Sequence, residues 1–330
     1  MLEARHLRPT YEETKDTNER TDEYKIVFKN PSIRKMPNIN SQCKPLTNYT
    51  NIGRISFQKC LEYQDQLVFP CWNSLTPNAK MERMNHCNWK PDTMIIEGTS
   101  ASYGEFPHMA LLGYNLPDHE WLCDGVIISD RFILTAAHCT YSRTGGNITK
   151  IRIGFLKKSQ EIRPDELYGV ERIIKHPQYK SPNEYYDIAL VKTNRRMILN
   201  RYRVPACLHD GGPINDTMVT VTGWGTTDAH HKRSSDVLRK VKLEKFSDEE
   251  CARLYTPKLV RHMPRGYDSN TQICYGDRLT SKDSNKGDSG GPAQISHHLK
   301  CMYLVTAIVS NGKTFGKAGL PGIYTRIAPF

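Results

Sequence analysis

The chain has 330 residues, 38% of them hydrophobic, and a formal charge of +11. That length allows one large domain with an extension, or two modest ones. No run approaches the ~20 consecutive apolar residues of a membrane-spanning helix, so composition points to a soluble protein. The surplus of basic residues gathers at Arg195-Arg196, Arg201 and Arg203, and again from His230-His231-Lys232-Arg233 to Lys242. It reads first as a solvated surface. A weakly bound acidic glycan is the candidate partner, and no recognition motif for nucleic acid accompanies the charge.

From the N-terminus, residues 1–42 are charged and lack apolar periodicity, which predicts a disordered or linker segment. The opening Met1-Leu-Glu-Ala-Arg-His-Leu-Arg has no apolar stretch of the kind a signal peptide needs, so the expectation is a true start further upstream. Residues 43–94 contain four cysteines, Trp72 and Trp89, but too little apolar sequence for an independent core. This segment must lean on another part of the chain or be stapled to it.

After residue 95 the texture changes. Short β-rich runs recur between turn-like stretches: Met109-Ala-Leu-Leu-Gly, Gly125-Val-Ile-Ile-Ser, Ile151-Arg-Ile-Gly, Val219-Thr-Val-Thr-Gly, Tyr303-Leu-Val-Thr-Ala-Ile-Val and Gly322-Ile-Tyr-Thr-Arg. Many short strands punctuated by Gly and Asn predict an all-β sandwich or barrel.

The ten cysteines form no C-x-x-C pair and have no histidine at common zinc spacing, so they read as disulfides of an oxidising compartment and no metal is expected. Three glycosylation sequons, at Asn48, Asn147 and Asn215, agree with secretion.

Three motifs follow one another: Thr135-Ala-Ala-His138-Cys139, Asp187-Ile-Ala-Leu, and Gly287-Asp-Ser289-Gly-Gly-Pro. Nucleophilic acyl transfer needs an activated hydroxyl, a base within hydrogen-bond reach and a carboxylate that holds the imidazole tautomer. Ser289, His138 and Asp187 supply these three roles. Glycine at 287 lets the N–H groups of Gly287 and Ser289 converge on a developing oxyanion. Taken singly each motif is ordinary; their order and domain-scale spacing carry the reading. The chain order His, Asp, Ser argues against a lipase-type hydrolase, whose triad runs Ser, Asp or Glu, His.

The order His, Asp, Ser is that of the chymotrypsin family, and residues 95–330 resemble a trypsin-type serine protease throughout. Gly104-Glu-Phe-Pro-His, Trp121-Leu-Cys, Pro205-Ala-Cys-Leu, Thr222-Gly-Trp-Gly and Pro321-Gly-Ile-Tyr-Thr-Arg carry that match. Ile55-Ser-Phe-Gln-Lys-Cys60-Leu-Glu-Tyr and Gly104-Glu-Phe-Pro-His-Met-Ala narrow it to the arthropod clip-domain proteases of the snake type. Only Cys43 precedes the linker match, so the clip module itself is absent or incomplete.

The resemblance implies two antiparallel six-stranded β-barrels divided near residue 205, with a disulfide-tethered pro-segment. His138 and Asp187 would come from the first barrel and Ser289 from the second. It implies a secreted zymogen of an immune, melanisation or Toll-type cascade, with an upstream activating protease, a downstream zymogen as polypeptide substrate, a serpin-type inhibitor and no cofactor. The matching activation site is Met94–Ile95, and the new α-ammonium would pair with Asp288. Met94 in place of Lys or Arg points to an activator that prefers medium apolar residues.

Asp283, six residues before Ser289, matches the floor of the primary specificity pocket, whose carboxylate selects Arg or Lys. Ser310 belongs to the same substrate-binding set, and Gly312 and Gly322 match the open pocket walls. The implied disulfides are Cys123–Cys139, Cys251–Cys274, Cys87–Cys207 and Cys60–Cys301, and Cys43 with Cys71 completes the count.

The chain also departs from the pattern. Asn285 and Phe315 stand where the family braces its pocket with a disulfide, Asn311 replaces an aromatic wall residue, and the sequence stops at Ile327-Ala-Pro-Phe330 before the expected C-terminal helix. These departures sustain one alternative: a non-catalytic protease homologue that acts as a binding cofactor in such a cascade.

Overall fold

The computed structural model describes residues 43, 55–72, 81–87, 98–116, 120–226, 234–279, 287–297, 301–311 and 319–330. The chain divides into two units, Met1–Asn38 and Ile39–Phe330, and every described residue lies in the second. The predicted linker 1–42 lies outside the described residues.

Twelve strands form two barrels. The first contains β1 (Met109–Gly113), β2 (Trp121–Ile127), β3 (Phe132–Thr135), β4 (Lys150–Ile153), β5 (Leu167–Lys175) and β6 (Ala189–Thr193), closed in the order β1-β2-β3-β6-β5-β4. The second contains β7 (Met218–Gly223), β8 (Arg239–Lys245), β9 (Gln272–Gly276), β10 (Pro292–His297), β11 (Met302–Asn311) and β12 (Gly322–Arg326). Its order is β7-β8-β9-β12-β11-β10, the same as the first, with the β11–β12 pairing closing the ring. The expected fold is therefore present, and the apolar runs read from the sequence fall on β1, β2, β4, β7, β11 and β12.

Apolar side chains fill both barrels, and Val305 and Ile308 of β11 join the cluster of the first. Leu112, Val126, Ile133, Ile151 and Val191 pack inside the first, and Val221, Leu243, Ile273, Ala293 and Tyr324 inside the second. Helix α2 (Asp248–Leu254) starts at a reciprocal cap: Ser247 accepts the Glu250 N–H, and the Glu250 carboxylate accepts the Ser247 N–H. Cys251 on this helix reaches Cys274 on β9.

The segment before the barrels does lean on the second. Helix α1 (Ile55–Tyr63) continues through a wider π turn to Val68, and Cys60 and Val68 pack with Val204, Cys207 and Met302. Cys43–Cys71 lies within this segment, and Cys123–Cys139 and Cys251–Cys274 also agree with the implied pairing.

The two tethers to the barrel are exchanged relative to expectation. Cys60 joins Cys207, and Cys87 joins Cys301, in place of Cys87–Cys207 and Cys60–Cys301. Register explains why the choice is local. Cys207 lies opposite Leu304 in a parallel pairing with β11, so Cys207 and Cys301 occupy neighbouring ends of adjacent strands. The seating of α1 directly over Cys207 then leaves Cys301 for Cys87.

Among the described residues no helix is long and apolar enough to cross a membrane. Asn147 and Asn215 are both exposed, whereas Asn48 lies outside the described residues.

Candidate active site

Three loop ends bring the predicted residues together. His138 opens a single 3-10 turn just after β3, Asp187 lies two residues before β6, and Ser289 sits in the turn that leads into β10. His138 grips Asp187 twice: its backbone N–H donates to Oδ1 at 2.8 Å and its Nδ1 donates to Oδ2 at 2.7 Å. The Ser310 hydroxyl, from β11, donates to the same Oδ2 at 2.5 Å, and Thr325 Oγ1 of β12 donates to the Asp187 carbonyl at 3.1 Å. The second barrel thus supplies donors that fix an acid of the first.

These contacts decide charge. Burial alone would raise the Asp187 pKa, but the His138 charge, its two N–H groups and Ser310 hold it below the ordinary carboxylate value. Burial would lower His138, whose side chain is still 36% exposed, yet the Asp187 carboxylate and the nearby Glu184 raise it above 6.5.

The Ser289 turn is held by its main chain. Ser289 O accepts the Asp124 N–H at 2.9 Å, Gly290 N–H donates to Val309 O at 2.8 Å, and Gly291 N–H donates to Asp288 O at 2.9 Å. Gly287 adopts φ 107°, in the left-handed region, and a β-carbon there would stand 2.9 Å from Gly225 Cα. Glycine at 287 therefore has a steric basis in the fold. No hydrogen bond joins His138 Nε2 to Ser289 Oγ. Instead Nε2 lies 3.6 Å from Cys139 Sγ, which in turn lies 3.4 Å from Ser289 O.

Cys123, His138 and Cys139 offer donor atoms within 4.8 Å of one another. The two sulfurs are joined as a disulfide, so no thiolate remains to ligate a metal.

Of the remaining predicted residues, Asp288 accepts the Gly225 N–H at 2.7 Å. Gly322 is buried at the start of β12 opposite Tyr275. Met94, Ile95, Asp283, Asn285, Gly312 and Phe315 lie outside the described residues, as does the side chain of Asn311. A cavity of about 710 Å³ between Phe57 of α1 and the second barrel is lined by none of the predicted catalytic or substrate-binding residues, though Asn215, Cys60 and Cys207 border it.

Two acids near the site escaped the sequence reading. Glu184 is buried in the loop before Asp187, where its charge acts on His138. Asp124 is fully buried in β2, and its only sequence signal is a charge placed between Cys123 and an otherwise apolar strand.

Residues 95–330 match the trypsin family, and the chain belongs to that family of serine proteases. It is 34% identical to bovine coagulation factor XI over 248 residues, 74% of this chain and 38% of that protein. It is 31% identical to serine protease snk of Drosophila melanogaster over 88% of this chain and 66% of the relative. With phenoloxidase-activating factor 3 of Holotrichia diomphalia the identity is 32%, over 80% of this chain and 78% of the relative. The chain thus spans less than two thirds of the first two relatives.

Proposed function

We propose that the chain is a secreted serine endopeptidase, made as a zymogen and opened between Met94 and Ile95, that cleaves polypeptides after Arg or Lys in an extracellular cascade. The double grip of His138 on Asp187 beside the Ser289 turn carries this reading. Ser289 Oγ attacks the scissile carbonyl, and His138 Nε2 takes its proton and passes it to the leaving amine. Asp187 holds the proton on Nδ1, so that Nε2 faces the nucleophile, and stabilises the imidazolium that forms. The N–H groups of Gly287 and Ser289 receive the oxyanion.

Once freed, the α-ammonium of Ile95 pairs with Asp288 and switches on the oxyanion hole. Asp283 on the pocket floor, with Gly312 and Gly322 as its walls, selects the cationic substrate side chain. The backbone beside Ser310 remains for the extended substrate, since its hydroxyl serves Asp187. A downstream zymogen is the substrate class; an upstream protease and a serpin-type inhibitor are the regulators. The names of two relatives, a coagulation factor and a phenoloxidase-activating factor, support a cascade role.

The test compares Arg, Phe and Ala peptide substrates on protein cut between Met94 and Ile95, with Ser289→Ala as control. Arg-selective hydrolysis that vanishes in the control is the expected result. No turnover from a folded, correctly cut sample assigns the chain to the non-catalytic binding homologues instead.

A further inference from the structure

The basic clusters that stand out in the sequence are mostly engaged within the molecule. Arg196 pairs with Asp130 and Arg203 with Asp165, while Arg195 donates to the carbonyls of Pro164 and Leu167 and covers the Tyr168 ring. In the described part of the second cluster, Lys240 pairs with Glu105 and Arg239 donates to Gly98 O. Uncommitted charge lies instead in the turns after α2. Lys258, Arg261 and Arg265 are exposed, and none of the three has an ion-pair partner among the described residues.

Packing explains why these side chains stay outside. Residues 256–266 wind through successive turns: Val260 N–H donates to Thr256 O at 3.1 Å, Met263 N–H to Val260 O at 3.1 Å, and Gly266 N–H to Met263 O at 2.9 Å. Val260 and Met263 are buried with Tyr185, Phe246 and Tyr255, which leaves Lys258, Leu259, Arg261 and Arg265 at the surface. Leu259 is 59% exposed, an apolar side chain among three cations. Acids close by in the chain are already engaged. Asp268 accepts the Thr271 hydroxyl at 2.7 Å, and Asp248 accepts the Tyr267 hydroxyl at 2.6 Å.

The same turns are bonded to the loop that carries Asp187. Glu184 N–H donates to His262 O at 3.2 Å, the Tyr185 hydroxyl donates to Gly266 O at 2.8 Å, and Arg265 N–H donates to the Tyr185 hydroxyl at 2.9 Å. The Arg265 guanidinium lies 4.3 Å from the centre of the Tyr185 ring. Tyr185 stands two residues from Asp187. Extended chain covers about 3.3 Å per residue, so a few residues of substrate reach from the triad to this surface.

We propose that Lys258, Leu259, Arg261 and Arg265 form an exosite for an acidic segment of the polypeptide substrate, a segment that carries an apolar residue and lies a few residues from the scissile bond. The inference rests on the endopeptidase reading and names the chemistry of its substrate. Three cations that the protein leaves unneutralised attract carboxylates, and the exposed leucine favours a peptide, which has apolar side chains, over an acidic glycan. Each exposed pair adds little alone, so the effect is cumulative and sensitive to salt.

The test separates binding from turnover. The chain cut between Met94 and Ile95 and carrying Ser289→Ala is titrated with fluorescent Arg peptides. Four Glu and one Leu, or four Gln and one Leu, flank the Arg on one side or the other. At low salt one of the Glu peptides should bind about tenfold more tightly than its Gln counterpart, from three pairs at roughly twofold each. The gain should vanish at about 0.5 M salt. Lys258→Gln with Arg261→Gln should reduce it to about twofold; both side chains are exposed, so the substitutions do not disturb the core. Arg172→Gln, which removes an exposed charge from β5, should leave the gain intact. Equal binding of Glu and Gln peptides, or a gain that survives the double variant, overturns the exosite. Heparin binding that the double variant loses, with no preference between the peptides, assigns the surface to an acidic glycan and overturns the peptide.

With Ser289 restored, the same Glu peptide should lead in kcat/KM. Binding of the Glu peptide without hydrolysis of any Arg peptide overturns the endopeptidase reading and leaves the acidic-peptide surface standing. Arg hydrolysis without a Glu advantage overturns the exosite and leaves the endopeptidase.

Discussion

Asp187 and Asp124 are buried to the same degree, 2% and 0% exposed, and both touch the Ser289 region, yet their pKa values move in opposite directions. Asp187 accepts three donors, two of them from His138, a group that itself becomes cationic during turnover. Asp124 accepts one amide and looks across at another acid. Burial alone raises both. The donors supplied by neighbouring strands decide which of the two pKa values falls. Glu166 is a third buried acid, held by cations. It is fully buried in the first barrel, with Arg152 at 3.2 Å and Arg163 at 2.8 Å.

The contrast can be broken by removing charge at each position in turn. Asp187→Asn should cost the most, about 10⁴ in kcat, because the amide no longer fixes the proton on Nδ1; steady-state kinetics on the cut enzyme measure it. Glu166→Gln should follow, destabilising the fold by about 3–5 kcal/mol in denaturant unfolding, because it leaves the Arg152 guanidinium buried against a neutral partner.

Asp124→Asn should act in the opposite sense. An acid whose folded pKa is raised binds more protons folded than unfolded, so wild-type stability falls as pH rises above the unfolded value. The neutral amide is free of that penalty. The uncleaved variant should gain on the wild type by about 1 kcal/mol at pH 8, and the gain should shrink towards pH 4. Asp187 runs the other way: its depressed pKa adds stability above the ordinary carboxylate value of 3.8, and this is lost as pH falls through the folded value.

The smallest effect tests the second acid near His138. Turnover needs neutral His138, so the acid limb of kcat/KM should have its midpoint above pH 6.5. Glu184→Gln removes one of the charges that raise it, and the midpoint should move to lower pH. An unmoved limb would show that Glu184 is screened from the imidazole.

Local pattern made much of this protein legible from its sequence. The apolar runs of β1, β4, β7, β11 and β12 declare strands because short buried runs bounded by turn residues suit a barrel covered on both faces. His138, Asp187 and Ser289 are readable because each lies in a short motif whose neighbours serve the same chemistry. Ser247 and Glu250, three residues apart, are a local signal for the start of α2. Two of the five disulfides also follow the family pattern, and Cys43–Cys71, expected by completing the count, is present as well.

What the sequence left open depends on residues far apart in the chain. The exchange of Cys60 and Cys87 between Cys207 and Cys301 turns on where α1 seats against a strand 147 residues away. Asp124 reads in isolation as a misplaced charge in β2. Only the approach of Trp224 and Asp288 from the second barrel turns it into an acid with a partner, because a buried carboxyl takes its proton state from donors and charges that folding brings to it.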